Sequence, residues 1–188
     1  MANDDSRPVR RAISLEETSV EELLGRIIIN WNNFEAICRE LLCQLCGRPP
    51  GIAALTNELH GSTLYLALKA SASDNVAPEL EETVTLLSNG LCRLIEHRNY
   101  YVHGSTSYGG QTGQESLRVR TSSAKAQIKV YEDDIDKREL YEIGCDCAEL
   151  GMIAADVTFY LIAKRQGQPV SLPDKPFLPP RLRKSRLP

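Results

Sequence analysis

Apolar side chains recur at steps of three and four residues along three long stretches of this chain, the period of a helix that buries one face. From residue 16 to about 46 the stripe reads Val20, Leu24, Ile27, Trp31, Phe34, Cys38, Leu42 and Leu45, and Gly47-Arg-Pro-Pro-Gly51 ends it. From 79 to 103 it reads Leu80, Val84, Leu87, Leu91, Leu94 and Ile95, with Gly104 suited to a helix C-cap. Asp136, a good N-cap residue, opens a last stripe of Leu140, Ile143, Cys147, Leu150, Ala154, Val157 and Leu161 that runs to about Lys164. A shorter helix is predicted over 62–72, with Leu64, Leu66 and Leu68. Each stripe has to be laid against another, so the expected fold is all-α, an up-and-down helical bundle around one core.

One segment breaks the helical period. Between 105 and 136, Tyr108-Gly-Gly-Gln-Thr-Gly113 is loop chemistry, and 116–121 and 126–131 alternate apolar with polar residues around Ser122-Ser123, predicting a small β-hairpin insertion. No internal repeat or low-complexity stretch interrupts the rest. A length of 188 residues suits one domain with appendages. The expected order is an extended or disordered N-terminus over 1–15, the bundle over 16–165 and a proline-rich basic tail over 166–188.

Charge is uneven along this order. Residues 1–163 carry 15 basic and 24 acidic side chains, a net of −9, whereas 164–188 carry seven basic residues against Asp174 alone, a net of +6, leaving −3 for the whole chain. Six of the ten prolines lie in the same last stretch. The tail therefore reads either as solvated extended chain or as an arm whose Arg181, Arg183, Lys184 and Arg186 touch an anion such as RNA. With 42% hydrophobic and 25% charged residues, a wholly disordered chain is excluded. The most apolar stretch, 151–163, contains Asp156 and is too short to span a bilayer, so no membrane partner is expected. The N-terminus lacks the apolar centre of a signal peptide, and the expected location is cytoplasmic.

In that compartment Cys38, Cys43, Cys46, Cys92, Cys145 and Cys147 read mainly as small buried hydrophobes rather than as disulfide partners. Cys43 and Cys46 have a zinc-like spacing, but they sit near a helix end, and only one residue separates Cys145 from Cys147. No metal and no cofactor is expected. P-loop, Rossmann, HExxH and GxSxG patterns are absent as well.

What chemistry the chain carries is concentrated at Arg98 to His103. Continuing the stripe of that helix from Leu94 and Ile95 lands on Arg98, so a guanidinium occupies a position the pattern assigns to the core or an interface. A buried charge needs a partner, and Glu35, at the edge of the first helix's stripe, is the best candidate. Asn99 and His103 are four residues apart and share a helix face beside that of Arg98. Arginine matches phosphate oxygens and histidine transfers protons near neutrality, a set suited to RNA cleavage by the substrate's own 2′-hydroxyl. The same residues also read as dipole-complementing cations at a helix end.

Arg98-Asn-Tyr-Tyr-Val-His103, near the C-terminal end of a helix and preceded by a helix bearing Trp31 and Glu35, resembles the signature of HEPN domains. The resemblance covers roughly 16–165, outside the insertion and the tail. It implies a metal-independent endoribonuclease of the kind found in toxin–antitoxin, abortive-infection and CRISPR-linked systems. Such proteins act as homodimers whose two motifs face each other, with an antitoxin or operon partner in some cases. On this resemblance His103 is the general acid or base, Arg98 stabilises the charged transition state, Asn99 orients them, and Glu35 is an auxiliary holding Arg98. The tyrosine that stands two places after the histidine in nucleotidylated toxins is replaced here by Ser105, so that regulation is not implied. Other HEPN members are non-catalytic adaptors or nucleotide-binding modules, in which Arg98, Asn99 and His103 would fix a dimer interface. Tyr100 and Tyr101 either stack an RNA base or pack the end of the bundle. Trp31 and Phe34 read as core aromatics, and His60 and His97 as surface or half-buried groups without a cluster.

Overall fold

Helix α1 (Val20–Leu45) starts where Ser19 takes the N-cap, its side chain accepting from the Glu22 amide, and ends where Gly47 and Arg48 turn the chain at positive φ. The computed structural model describes residues 14–74, 76–103, 105–108, 117–123 and 129–182. After α1 come α2 (Ile52–Asn57), α3 (Gly61–Asp74) and α4 (Pro78–His103). Three strands follow, β1 (Ser105–Tyr108), β2 (Leu117–Ser123) and β3 (Lys129–Ile135), and then α5 (Lys137–Arg165). Pro78 opens α4 at a position where a missing amide proton costs nothing, and Asp136 caps α5 by accepting from the Glu139 amide at 2.7 Å.

The chain is a helical bundle whose stripes form one core. Ile27, Trp31, Phe34 and Cys38 of α1 are buried, as are Leu80, Val84, Leu87, Leu91 and Leu94 of α4, and Leu140, Ile143, Cys147, Leu150, Ala154 and Val157 of α5. Each such leucine contributes roughly 1.5–3 kcal/mol relative to leaving it in water. On α1 the stripe is displaced by one position at its start, since Leu23 is buried and Leu24 is only half-buried. On α3, Leu64 and Leu68 face the core while Leu66 is exposed, as a helical period requires of residues two apart.

Helix α5 runs parallel to α1 and antiparallel to α4. Asn30 of α1 donates to the Gly144 carbonyl, and Arg165 at the far end of α5 donates to the carbonyl of Gln44. The two helices pack closely at Gly151, where a Cβ would sit in ordinary contact with the Phe34 backbone at 3.7 Å. The hydroxyl of Tyr101, near the end of α4, donates to Glu139 at the start of α5 at 2.6 Å. At the opposite ends Tyr160 and Lys164 donate to Glu79. The Glu79 carboxyl is held below its ordinary range by its own backbone amide first and then by Lys164 and Tyr160.

The insertion is larger than the expected hairpin. β2 and β3 pair antiparallel from Leu117 opposite Ile135 to Ser123 opposite Lys129, and β1 adds a third strand antiparallel to β2. β1 was hidden because Ser-Thr-Ser-Tyr carries no apolar alternation. The second difference is α2, a six-residue helix inside a segment rich in turn residues. The third is the tail. Residues 168–182 have no helix or strand, yet Pro176 and Pro179 are buried and the part from Lys175 to Pro180 is strapped against α4. Arg93 donates to the Pro179 carbonyl and His97 bonds that of Pro180, while Lys175 pairs with Glu82. Gly90 leaves room for this strap and for Leu150, whose Cδ1 would lie 2.8 Å from a Cβ at that position. Residues 1–13, Gly104, Arg183, Lys184 and Arg186 lie outside the described residues. Among the described residues no helix is long and apolar enough to cross a membrane.

Candidate functional site

A cleft of about 420 Å³ lies between the middle of α1, the start of α3 and the last turns of α4, lined by Trp31, Glu35, His60, Gly61, Arg98 and Asn99 among others. Helical spacing puts Trp31 and Glu35 on one turn of α1. Trp31 is buried edge-on against Phe34, and both Trp31 and Glu35 line the cleft. α4 contributes Arg98, half-buried as its place beyond the apolar stripe demands, and the exposed Asn99, whose Oδ1 accepts from Arg98 Nη1 at 3.1 Å. His103 is the last residue of α4, one turn beyond Asn99 along the backbone. The structure therefore brings Glu35, Arg98 and Asn99 to one cleft.

The pairing inside it differs from the one expected. Glu35 is bonded to Arg39, not to Arg98: Arg39 Nη2 donates to Oε2 at 2.7 Å, and the Gly61 amide donates to Oε1 at 2.7 Å. An arginine four residues on along the same helix turn is closer than one on another helix, and the first amide of α3 takes the other oxygen. Only 11% of the Glu35 side chain is exposed, so both of its oxygens need such partners.

Arg39 extends the network to a residue the sequence did not single out. Its Nε donates to the Leu59 carbonyl at 2.9 Å and its Nη2 lies 2.6 Å from His60 Nδ1. His60 is thereby drawn into a cluster with Glu35, whose Oε2 is 3.5 Å from the same ring nitrogen. The only signal in the sequence was His60 standing directly before the Gly-Ser-Thr start of α3.

Of the other predicted residues, the His103 side chain lies outside what the structure describes, and Tyr100, Tyr101 and Arg181 are not brought to the cleft. Tyr100 and Tyr101 are 2% and 1% exposed and packed edge to face, so neither has a face available to stack a base. They pack the end of the bundle instead, because their places fall on the inner side of α4. His97 is also buried, not half-exposed: its ring stacks on Tyr101 and its Nε2 meets the Pro180 carbonyl at 3.0 Å, so that nitrogen carries the proton. Arg181 is exposed and lines a separate groove with Arg93 and Glu96 between the strap and α4. Among the described residues no group of three or more metal-ligating side chains comes together, and Cys38, Cys43 and Cys147 are buried free thiols. Compared with protein-family models, with curated proteins and with solved structures, the chain has no match, so its own residues carry the functional reading.

Proposed function

We propose that this protein is a metal-independent endoribonuclease of the HEPN type, cleaving RNA at a composite site made by two copies. The observation that supports this reading is the cleft that Arg98 and Asn99 of α4 line together with Glu35 of α1. In the proposed reaction the 2′-hydroxyl oxygen attacks the adjacent phosphorus and loses its proton, and the bond from phosphorus to the 5′-oxygen breaks. The products are a 2′,3′-cyclic phosphate and a 5′-hydroxyl, with no external reductant, oxidant or water consumed. Arg98 faces the charge that grows on the phosphoryl oxygens, and Asn99 holds the guanidinium through its side-chain carbonyl. His103 transfers the proton as general acid or base. The setting proposed for this activity is the cytoplasm, in a toxin or phage-defence system with an antitoxin or operon partner.

The test is cleavage of a mixed RNA pool in EDTA by the wild type, His103→Ala and Arg98→Ala, with oligomeric state recorded for each. Cutting that resists EDTA and falls at least about 100-fold in the folded His103→Ala form is the expected result. A dimer that cuts no RNA would overturn the nuclease reading in favour of a non-catalytic interaction module, with Arg98→Ala then weakening association.

A further inference from the structure

We propose that His60 is a phosphate-binding residue of this cleft, presenting Nε2–H to a non-bridging oxygen of an RNA phosphodiester, with Arg39 and Glu35 as the residues that position it. The inference rests on the reading of the cleft as an RNA site and adds a third element, the α2–α3 junction, to the contacts from α1 and α4.

Its basis is the direction of one hydrogen bond. Arg39 Nη2 lies 2.6 Å from His60 Nδ1, and a guanidinium has no acceptor to offer, so Nδ1 accepts and the proton of the neutral ring resides on Nε2. The two protons of Arg39 Nη2 are shared between His60 Nδ1 and Glu35 Oε2, and Nε is bound to the Leu59 carbonyl, so the guanidinium is fixed on two sides. Glu35 is fixed in turn by the Gly61 amide.

The His60 backbone is anchored as well. Its amide donates to Thr63 Oγ1 at 3.2 Å, and its carbonyl accepts from the Thr63 hydroxyl at 2.7 Å and the Thr63 amide at 3.1 Å. Yet the side chain remains 65% exposed in a cleft it shares with Arg98. A network that immobilises an exposed ring and dictates its tautomer is more than the stability of a surface histidine requires. A neutral donor beside the Arg98 cation suits a phosphodiester, which carries one negative charge and two non-bridging oxygens.

Histidine analogues separate this role from proton transfer. A glutamine side-chain amide stands in for the Nε2–H donor, whereas asparagine is too short to reach that place. Binding is read by fluorescence anisotropy with a labelled 2′-O-methyl oligoribonucleotide, which has no nucleophile and cannot be cut. His60→Ala and His60→Asn are expected to weaken binding about tenfold, the worth of one hydrogen bond to a charged group, and His60→Gln to restore it to within about threefold of the wild type. Arg39→Ala, which frees the tautomer, is expected to weaken binding while His60 is intact, with circular dichroism checking that each variant is folded. Equal affinity in all four variants, or equal loss in Gln and Ala, would overturn the proposal, as would a wild type that does not bind. The two readings fail separately: RNA cutting that needs His103 with no effect of His60 on binding rejects only this inference. Binding that needs His60 without any cutting rejects only the nuclease.

Discussion

Cys38, Cys43 and Cys147 are buried thiols, and charged neighbours act on Cys38 and Cys147 as well. Burial, then the neighbouring Glu35 charge, pushes the Cys38 thiol far up against a smaller opposing effect of Arg39. Burial, followed by Asp146 and Cys145, raises that of Cys147 to about 12. Since the thiolate is the nucleophile, iodoacetamide at mildly alkaline pH should alkylate the half-buried Cys46, Cys92 and Cys145 and leave Cys38 and Cys147 intact until denaturant is added. Peptide mapping by mass spectrometry reads this directly, and native labelling of Cys38 at the rate of Cys92 would contradict the packing described for α1. The same residue scale explains His60. Its two partners lie 21 and 25 positions earlier, across the α1–α2 turn, and no local pattern announces a contact that exists only once that turn is made.

Elements were more legible than contacts. The three long stripes predicted α1, α4 and α5 closely because a helix that buries one face must repeat near 3.6 residues, and the cap at Asp136 was written in the chain as an acid before a helical run. Ser19 and Asp136 each satisfy an amide that the helix itself cannot, so Ser19→Ala and Asp136→Ala should each lower unfolding free energy by about 1 kcal/mol. Urea titration would register this as a shift in midpoint at unchanged slope, and a shift from neither would remove the caps from the account. α2 and β1 were illegible for opposite reasons. α2 is too short to display a period, and β1 has only hydroxyl and glycine-flanked residues, so its pairing with β2 is decided by backbone hydrogen bonds rather than by an apolar face. Similarly, the Glu35–Arg98 pairing expected from two stripes gave way to a nearer cation on the same helix.

At the scale of the whole molecule, composition misread the strap. A proline-rich basic segment has the statistics of a free linker, but Pro176 and Pro179 are buried and the carbonyls of Pro179 and Pro180 are taken by Arg93 and His97 of α4. Proline also leaves its carbonyl without a competing amide on the same residue, so an extended Pro-Pro segment suits donors projecting from a helix. Ending the chain after residue 168 should therefore destabilise it by about 2–4 kcal/mol and lower the melting temperature by roughly 5–10 °C. Unchanged melting in a calorimeter would mean that the strap is held without contributing. The pairing of α1 with α5 has a temporal meaning as well. Most of the surface against which α1 packs is more than 90 residues downstream of it, and the strap comes later still. On the ribosome α1 must wait, its stripe shielded by nothing permanent, while α3, α4 and the sheet are synthesised. Assembly is deferred until α5 has been made, and a message cut before residue 137 yields a chain with the residues of the cleft but without the partner that holds α1 in place.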